Sequence, residues 1–314
     1  MKNNPTAVGH LLAALTILVW GTTFISTKVL LQDFAPLEIL VFRFLLGFVA
    51  LLAAYPHRLK ITDRRQEKYF IGAGLCGVTL YFLLENIALT YSLASNVGII
   101  ISVAPFFTAM FANRFLDGET LRPRFFIGFA SAIAGIALIS FNGSEALQLN
   151  PVGDLLALLA AAVWAVYSVL TKKISSFQYP TVQTTRRCFF YGLLFMIPAL
   201  FLLDFSPAWE KLAQPVNLLN FLYLGLCASA LCFVTWNSAV KVLGAVKTSV
   251  YIYMTPVVTV AMSAVILHEP VTWLILLGMA LTLAGLFLSE SREKKKDRGG
   301  KTHECAKPEV CDGH

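Results

Sequence analysis

The sequence predicts an all-α integral membrane protein: ten transmembrane helices in two inverted five-helix repeats, with both termini cytoplasmic. Three observations carry this expectation. First, the 314 residues are 57% hydrophobic and only 14% charged, where a soluble domain carries about 25% charged residues. Second, ten apolar stretches approach the roughly 20 residues that cross about 30 Å of hydrocarbon. Third, the chain repeats itself. Residues 9–28 (GHLLAALTILVWGTTFISTK) align without a gap on 153–172 (GDLLALLAAAVWAVYSVLTK), and nine of these 20 positions are identical. The matches Gly9/Gly153, Trp20/Trp164, Thr27/Thr171 and Lys28/Lys172 are the informative ones, and the same offset pairs Pro36 with Pro180 and Arg43 with Arg187.

The predicted spans are 10–30, 37–54, 69–89, 95–116, 125–141, 154–171, 182–203, 218–240, 247–267 and 271–289. Short links at 31–36, 90–94, 243–246 and 268–270 force neighbouring spans antiparallel. Orientation follows from loop Lys and Arg. Arg58, Lys60, Arg64, Arg65 and Lys68, then Arg114, Arg122 and Arg124, then Lys172 and Lys173, then Lys241 and Lys247, and the tail from Arg292 all fall on one side. Lys28 and Lys211 alone fall on the other. Five spans per repeat turn the second copy upside down, the arrangement from which many secondary transporters build alternating access. Later positions repeat too: Gly74-Leu75-Cys76 matches Gly225-Leu226-Cys227, and that offset pairs Asn86 with Asn237 and Pro105 with Pro256. One residue fewer pairs Glu119 with Glu269, Gly128 with Gly278 and Gly135 with Gly285. The expected units are a first repeat over 1–144, a second over 151–290 and a disordered basic cytoplasmic tail over 291–314.

Composition narrows the function classes. The net charge of +7 does not point to nucleic acid, because seven of 25 Lys and Arg lie in the tail and most others in loops on one side. Cys76, Cys188, Cys227 and Cys232 lie inside apolar spans and form no disulfide framework. The first apolar stretch lacks an obvious small-residue cleavage site and is one copy of a repeat, so it reads as a retained span rather than a signal peptide. No G-x-x-x-x-G-K-[ST] occurs, so the chain does not hold ATP in that manner. No cofactor is expected.

Trp-Gly-Thr-Thr-Phe (20–24), Arg43 in the second span, Ala-Pro-Phe (104–106) and Gly-Glu-Thr-Leu (118–121) occur in order. The second half answers with Trp164, Thr255-Pro256-Val257 and His268-Glu269-Pro270. Over roughly 9–290 the chain resembles the EamA-type transporters of the drug/metabolite transporter superfamily. The resemblance implies a secondary carrier of small metabolites, often amino acids, in the plasma membrane. It implies no particular solute.

Candidate site residues follow from spacing and depth. Trp20, Thr23, Phe24 and Thr27 share one helix face, as do Trp164, Tyr167, Ser168 and Thr171. They read either as two symmetry-related walls of a cavity, Trp and Tyr giving an apolar plate with a polar handle, or as helix-packing faces. Arg43, about 10 Å deep at 1.5 Å per residue, faces a cavity or a partner, because an intramembrane Arg costs at least ~2.5 kcal/mol on insertion scales. It reads either as a bidentate site for a substrate carboxylate, or as a side chain that snorkels to the nearer interface or forms a structural ion pair. Glu85 is the one acidic residue well inside a span. It reads either as the partner of Arg43 or as the carrier of a coupling proton, since apolar surroundings let a carboxyl load and release a proton near neutral pH. The second repeat has Trp236 at that position. Asn86 and Asn237 are buried amides that need partners, and Tyr81, Tyr251 and Tyr253 are further candidates for the cavity. Pro105 and Pro256 fall mid-span, as a pair of gating kinks or as static bends. Glu119, near Arg114 and Arg122, and Glu269 read as caps or ion pairs at helix ends.

The tail ligands His303, Cys305, Cys311 and His314 fit no zinc spacing, so no metal site is assigned. Asn142-Gly143-Ser144 is a sequon on the outer side. The partners expected are a small-molecule substrate, a coupling proton and the lipid bilayer, with the protein a monomer or homodimer in the cell (inner) membrane. The function expected is gradient-driven export of amino acids or related amphipathic metabolites. A multidrug or lipophilic-cation exporter is the alternative within transport. A receptor is another class, and an intramembrane enzyme, which would need clustered acids or histidines at one depth, is a third.

Overall fold

Prolines open five of the described helices. The computed structural model describes residues 5–92, 94–116, 123–141, 151–202, 205–266 and 273–290, and among these every regular element is helical. The helices are α1 (Pro5–Leu30), α2 (Pro36–Ala54), α3 (Arg64–Tyr91), α4 (Ala94–Ile101), α5 (Ala104–Phe115), α6 (Pro123–Phe141), α7 (Pro151–Ser175) and α8 (Thr181–Leu202). After these come a one-turn α9 (Trp209–Leu212), α10 (Pro215–Leu243), α11 (Ala245–Ser249), α12 (Thr255–Ile266) and α13 (Trp273–Glu290). Pro5, Pro36, Pro123, Pro151 and Pro215 are first residues of their helices, where a missing N–H costs nothing and a fixed φ favours the turn. Among the described residues six helices, α1, α2, α3, α7, α8 and α10, are long and apolar enough to cross a membrane. The outward-facing leucines of α1 (Leu11, Leu15, Leu18) are exposed, as lipid-facing side chains are. Glu119, Glu269, the 142–144 sequon and the tail ligands lie outside the described residues.

Two expectations about regular spans are corrected. The stretch 95–116 is not one kinked helix: it breaks at Ser102–Val103, and Pro105 sits in the first turn of α5. Its counterpart breaks likewise, with α11, a 3₁₀ turn at Val250–Met254 and then α12, in whose first turn Pro256 lies. A mid-span proline ends the preceding helix and restarts a new one because it has no N–H to give. In addition, α3 and α10 each widen into a π-helical segment, at Leu75–Leu80 and Tyr223–Leu231. These two segments overlap under the offset that pairs Gly74 with Gly225.

Packing follows the duplication. α1 packs on α10 and α12, while its counterpart α7 packs on α3 and α5. α2 packs on the π segment of α10, and α8 on that of α3. The halves therefore interleave. At the α6–α13 crossing the contact is reciprocal. A Cβ on Gly135 would stand 2.4 Å from the Gly278 carbonyl oxygen, and one on Gly285 would stand 2.5 Å from that of Gly128. These are the four glycines paired by the sequence repeat. Small residues let membrane helices approach to backbone contact, where van der Waals packing replaces the absent hydrophobic drive.

The described ends are tied by hydrogen bonds. At the end of α1, Lys28 Nζ donates to the carbonyls of Leu89 (2.7 Å) and Ser92 (3.4 Å), a cation on the C-terminus of α3. Nearby, Glu38 is buried and accepts from the backbone N–H of Ala35 (2.8 Å) and of Ser206 (3.1 Å). At the opposite end, Arg186 donates to the carbonyls of Tyr55 (2.5 Å) and His57 (2.6 Å), just past α2.

Candidate functional site

The elements of both halves converge on a cluster of aromatic rings. Trp20 of α1 and Trp164 of α7, equivalent by the repeat, meet edge to face with centroids 5.2 Å apart. Trp236 of α10 lies 5.1 Å from Trp20. Tyr81 and Tyr167 stand 4.8 and 4.9 Å from Trp164, and Phe233 touches Trp20, Trp164 and Tyr167. Tilted and edge-on pairs of this kind hold a shape as well as burying area. Trp20 Nε1 donates to the Ala228 carbonyl at 2.9 Å, which fixes its ring. Among the described residues, the buried Nε1 donors of Trp164 and Trp236 have no hydrogen-bond partner.

Beside this cluster is a narrow pocket with a cavity volume of about 40 Å³. It is lined by Ile17, Trp20, Thr23 and Phe24 of α1, Tyr81, Phe82 and Glu85 of α3, and Ile101 of α4, all from the first half. The second half supplies Trp164 of α7, Ile252 of the 3₁₀ turn and Thr255 of α12. Tyr81, Phe82 and Glu85 share one face of α3, immediately after its π segment. Glu85 is 2% exposed, and its carboxyl lies next to the Tyr81 hydroxyl.

The structure brings Trp20, Thr23, Tyr81, Glu85 and Trp164 to one pocket. The other candidates stand elsewhere. Trp236 packs behind Trp20. Tyr167 donates to Asn237 Oδ1 (2.9 Å), and Asn237 Nδ2 donates to Thr185 Oγ1 (2.9 Å), so this amide joins α7, α8 and α10. Asn237 also borders a second, smaller pocket with Thr171, Ser175, Thr181, Thr184 and Lys241. Asn86 donates to the Pro36 carbonyl at 3.1 Å. Ser168 returns its hydroxyl to the Trp164 carbonyl, the usual use of a hydroxyl in a membrane helix. Tyr251 bonds His10 at 2.8 Å, and Tyr253 is buried against α6.

Arg43 does not pair directly with Glu85. It is fully buried. Its Nε donates to Ser229 Oγ at 3.1 Å, its Cζ lies 4.3 Å from the centre of the Phe82 ring, and neither Nη has a hydrogen-bond partner among the described residues. Arg187, expected at matching depth, instead holds Glu67 with two bonds of 2.7 and 2.8 Å and is 30% exposed. Tyr191 also donates to Glu67. Phe82, Phe233 and Ser229 escaped sequence reasoning because Phe and Ser are abundant in these spans. The signal for Phe82 was its place in the Tyr81–Phe82–Glu85 face.

A family model described as the EamA-like transporter family matches residues 7–141 and again 151–290. A probable terminal-alkyne amino-acid exporter of Streptantibioticus cattleyicolor is 29% identical over 289 residues, 92% of this chain and 95% of that protein. A probable amino-acid metabolite efflux pump of Escherichia coli is 28% identical, covering 88% of this chain and 93% of its own. An uncharacterized transporter of Archaeoglobus fulgidus is 29% identical, over 90% and 98%. A solved crystal structure with 22% identity superposes with a TM-score of 0.70 over 92% of this chain and 97% of its own, a likeness of fold. With two copies of the family pattern spanning nearly all the described helices, the chain belongs to the EamA-like transporter family and is a multi-pass membrane transporter of small molecules.

Proposed function

We propose that the protein is a gradient-driven exporter of amino acids or related amphipathic metabolites in the cell (inner) membrane. Ten spans with both termini cytoplasmic would carry it, alternating access between the two faces. The observation that carries the reading is the pocket itself. It lies between the two inverted halves, is walled by the equivalent Trp20 and Trp164, and contains one carboxyl, Glu85. A pocket that is mostly apolar with a few placed polar groups suits a small amphipathic solute. The breaks before Pro105 and Pro256 lie beside it, since Ile101 precedes one break and Thr255 follows the other, and would serve as a hinge in each half. The names of the curated relatives, an amino-acid exporter and an amino-acid metabolite efflux pump, support the solute class.

Glu85 is the group proposed to carry a coupling proton: it lines the pocket, so a solute and a proton would compete for one place. A lipophilic-cation exporter is the second reading, favoured by the fact that Glu85 lines the pocket and Arg43 does not. One assay separates them. Purified protein in proteoliposomes with an acid interior is given labelled amino acids and, separately, labelled lipophilic cations. Amino-acid accumulation that a protonophore abolishes is the expected outcome. Accumulation of cations alone selects the second reading, and accumulation insensitive to the pH gradient removes the coupling role from Glu85.

A further inference from the structure

Arg43 is a buried charge with most of its donors unmatched among the described residues. A guanidinium has five N–H donors and no acceptor. Here the side chain is fully buried, one donor is used on Ser229, and the four on Nη1 and Nη2 have no hydrogen-bond partner among the described residues. Buried donors are almost always matched, and an unmatched set asks for an explanation. The repeat supplies one. In the second half the equivalent Arg187 is matched by both oxygens of Glu67. Under the offset of the two π segments, the position equivalent to Glu67 is Leu218, and the position equivalent to Ser229 is Val78. Arg187 thus finds a carboxylate on the opposite half, whereas Arg43 meets Leu218's position without one and has only the lone hydroxyl of Ser229 to steer its guanidinium.

We infer that Arg43 is the receptor for a carboxylate of the transported solute, screened from the central pocket by the ring of Phe82, so that the protein selects carboxylate-bearing solutes; this rests on the exporter reading above. The Phe82 ring is common to both places: it lines the pocket, and its centre is 4.3 Å from Arg43 Cζ. Turning the ring aside joins guanidinium and pocket. The other unmatched buried polar groups of the aromatic cluster, Trp164 Nε1 and Trp236 Nε1, are donors too. A carboxylate offers two oxygens with about four acceptor sites and fits the planar fork of arginine. Two of the neighbours of Arg43 lie in or just after π turns. Phe82 follows the π segment Leu75–Leu80 by two residues, and Ser229 lies within Tyr223–Leu231. Single π turns inside α-helices recur at functional sites, and moving the extra residue along the helix re-aims the side chains beyond it.

The test compares each labelled amino acid of a mixed set with its carboxamide in proteoliposomes, for wild type, Arg43→Lys and Phe82→Ala. Binding is followed in parallel by intrinsic tryptophan fluorescence of the solubilised proteins. Wild type should move acids and reject amides. Arg43→Lys keeps the charge and loses the fork, and should raise KM for acids by roughly 10- to 100-fold, the worth of a charged hydrogen bond. Phe82→Ala removes the screen and should lower KM for acids while leaving amides excluded. Acids and amides moved alike by wild type, or an acid-to-amide ratio unmoved in both variants, overturns the carboxylate site and leaves the exporter reading standing. Movement of lipophilic cations but of neither acids nor amides overturns both. Should Arg43→Lys fail to fold, Phe82→Ala decides alone: an unchanged or raised KM for acids rejects the inference.

Discussion

The two halves share a frame and differ in what they place inside it. Trp20 and Trp164 wall one pocket from both sides, and Gly135 and Gly285 make the same backbone contact in opposite senses. Yet Glu85 of the first half faces that pocket, where the second half has Trp236 packed behind Trp20. Arg43 and Arg187 start as equivalents, and only Arg187 is paired with a carboxylate. Symmetric positions hold the helices together. The asymmetric ones, Glu85 in the pocket and Arg43 behind the Phe82 ring that lines it, are where solute and proton are to be sought.

The largest expected effect tests the first asymmetry. Glu85→Gln keeps the volume and the hydrogen-bonding reach toward Tyr81 but cannot carry a proton. Gradient-driven transport should fall to background with normal expression and folding, measured as uptake with and without a protonophore. Uptake equal to wild type would show that Glu85 serves structure alone. Trp236→Phe, at the equivalent position, keeps an aromatic ring and should only reduce the rate.

A second experiment breaks the symmetric frame. Gly135→Val and Gly285→Val each drive a side chain into a carbonyl oxygen less than 3 Å away. Each should destabilise the protein by about 1–3 kcal/mol, as overpacking does, and by similar amounts, read from thermal unfolding in detergent. A large loss from one and none from the other would deny the reciprocal α6–α13 contact. A third compares the arginines. The Arg187–Glu67 pair is 30% and 24% exposed, so Arg187→Gln should cost no more than about 1 kcal/mol. That loss should shrink in high salt and leave solute selectivity untouched, unlike substitution of Arg43.

Much of this was legible in the sequence because duplication is a strong signal. A 20-residue gapless match fixed the equivalence of α1 and α7. The paired glycines located a contact whose reciprocity only coordinates display, and period-3.6 spacing put Trp20 and Thr23 on the pocket face. What failed was partner choice. Depth along a helix cannot say that Arg43 turns to Ser229, 186 residues away, rather than to Glu85 on the next span. Nor can apolar pattern distinguish a kinked helix from a broken one, or an α turn from a π turn, since each buries the same side chains. Glu38 was missed because its cue, a Glu three residues past a helix entry, came without the usual Ser or Thr cap.

The smallest effect concerns the outer rim, and it sharpens the contrast between a carboxylate at the pocket and one at the surface. Asp33 accepts from Lys211 Nζ at 2.6 Å and from Asn217 Nδ2 at 2.9 Å. These bonds, that of Lys211 foremost, hold its carboxyl below the ordinary value of 3.8. Because the folded value is depressed, whatever stability the group adds is fully present above the unfolded value and is lost as pH falls through the folded one. Asp33 is therefore charged throughout the pH range in which a transporter is assayed. Asp33→Asn should leave the pH profile of transport between about pH 5 and 8 unchanged, while Glu85→Gln flattens it. The small difference in melting temperature between wild type and Asp33→Asn should narrow only in stronger acid. If Asp33→Asn reshaped the neutral-pH profile as Glu85→Gln does, the proton-sensitive group would lie at the rim, and the asymmetry of the central pocket would belong to solute recognition instead.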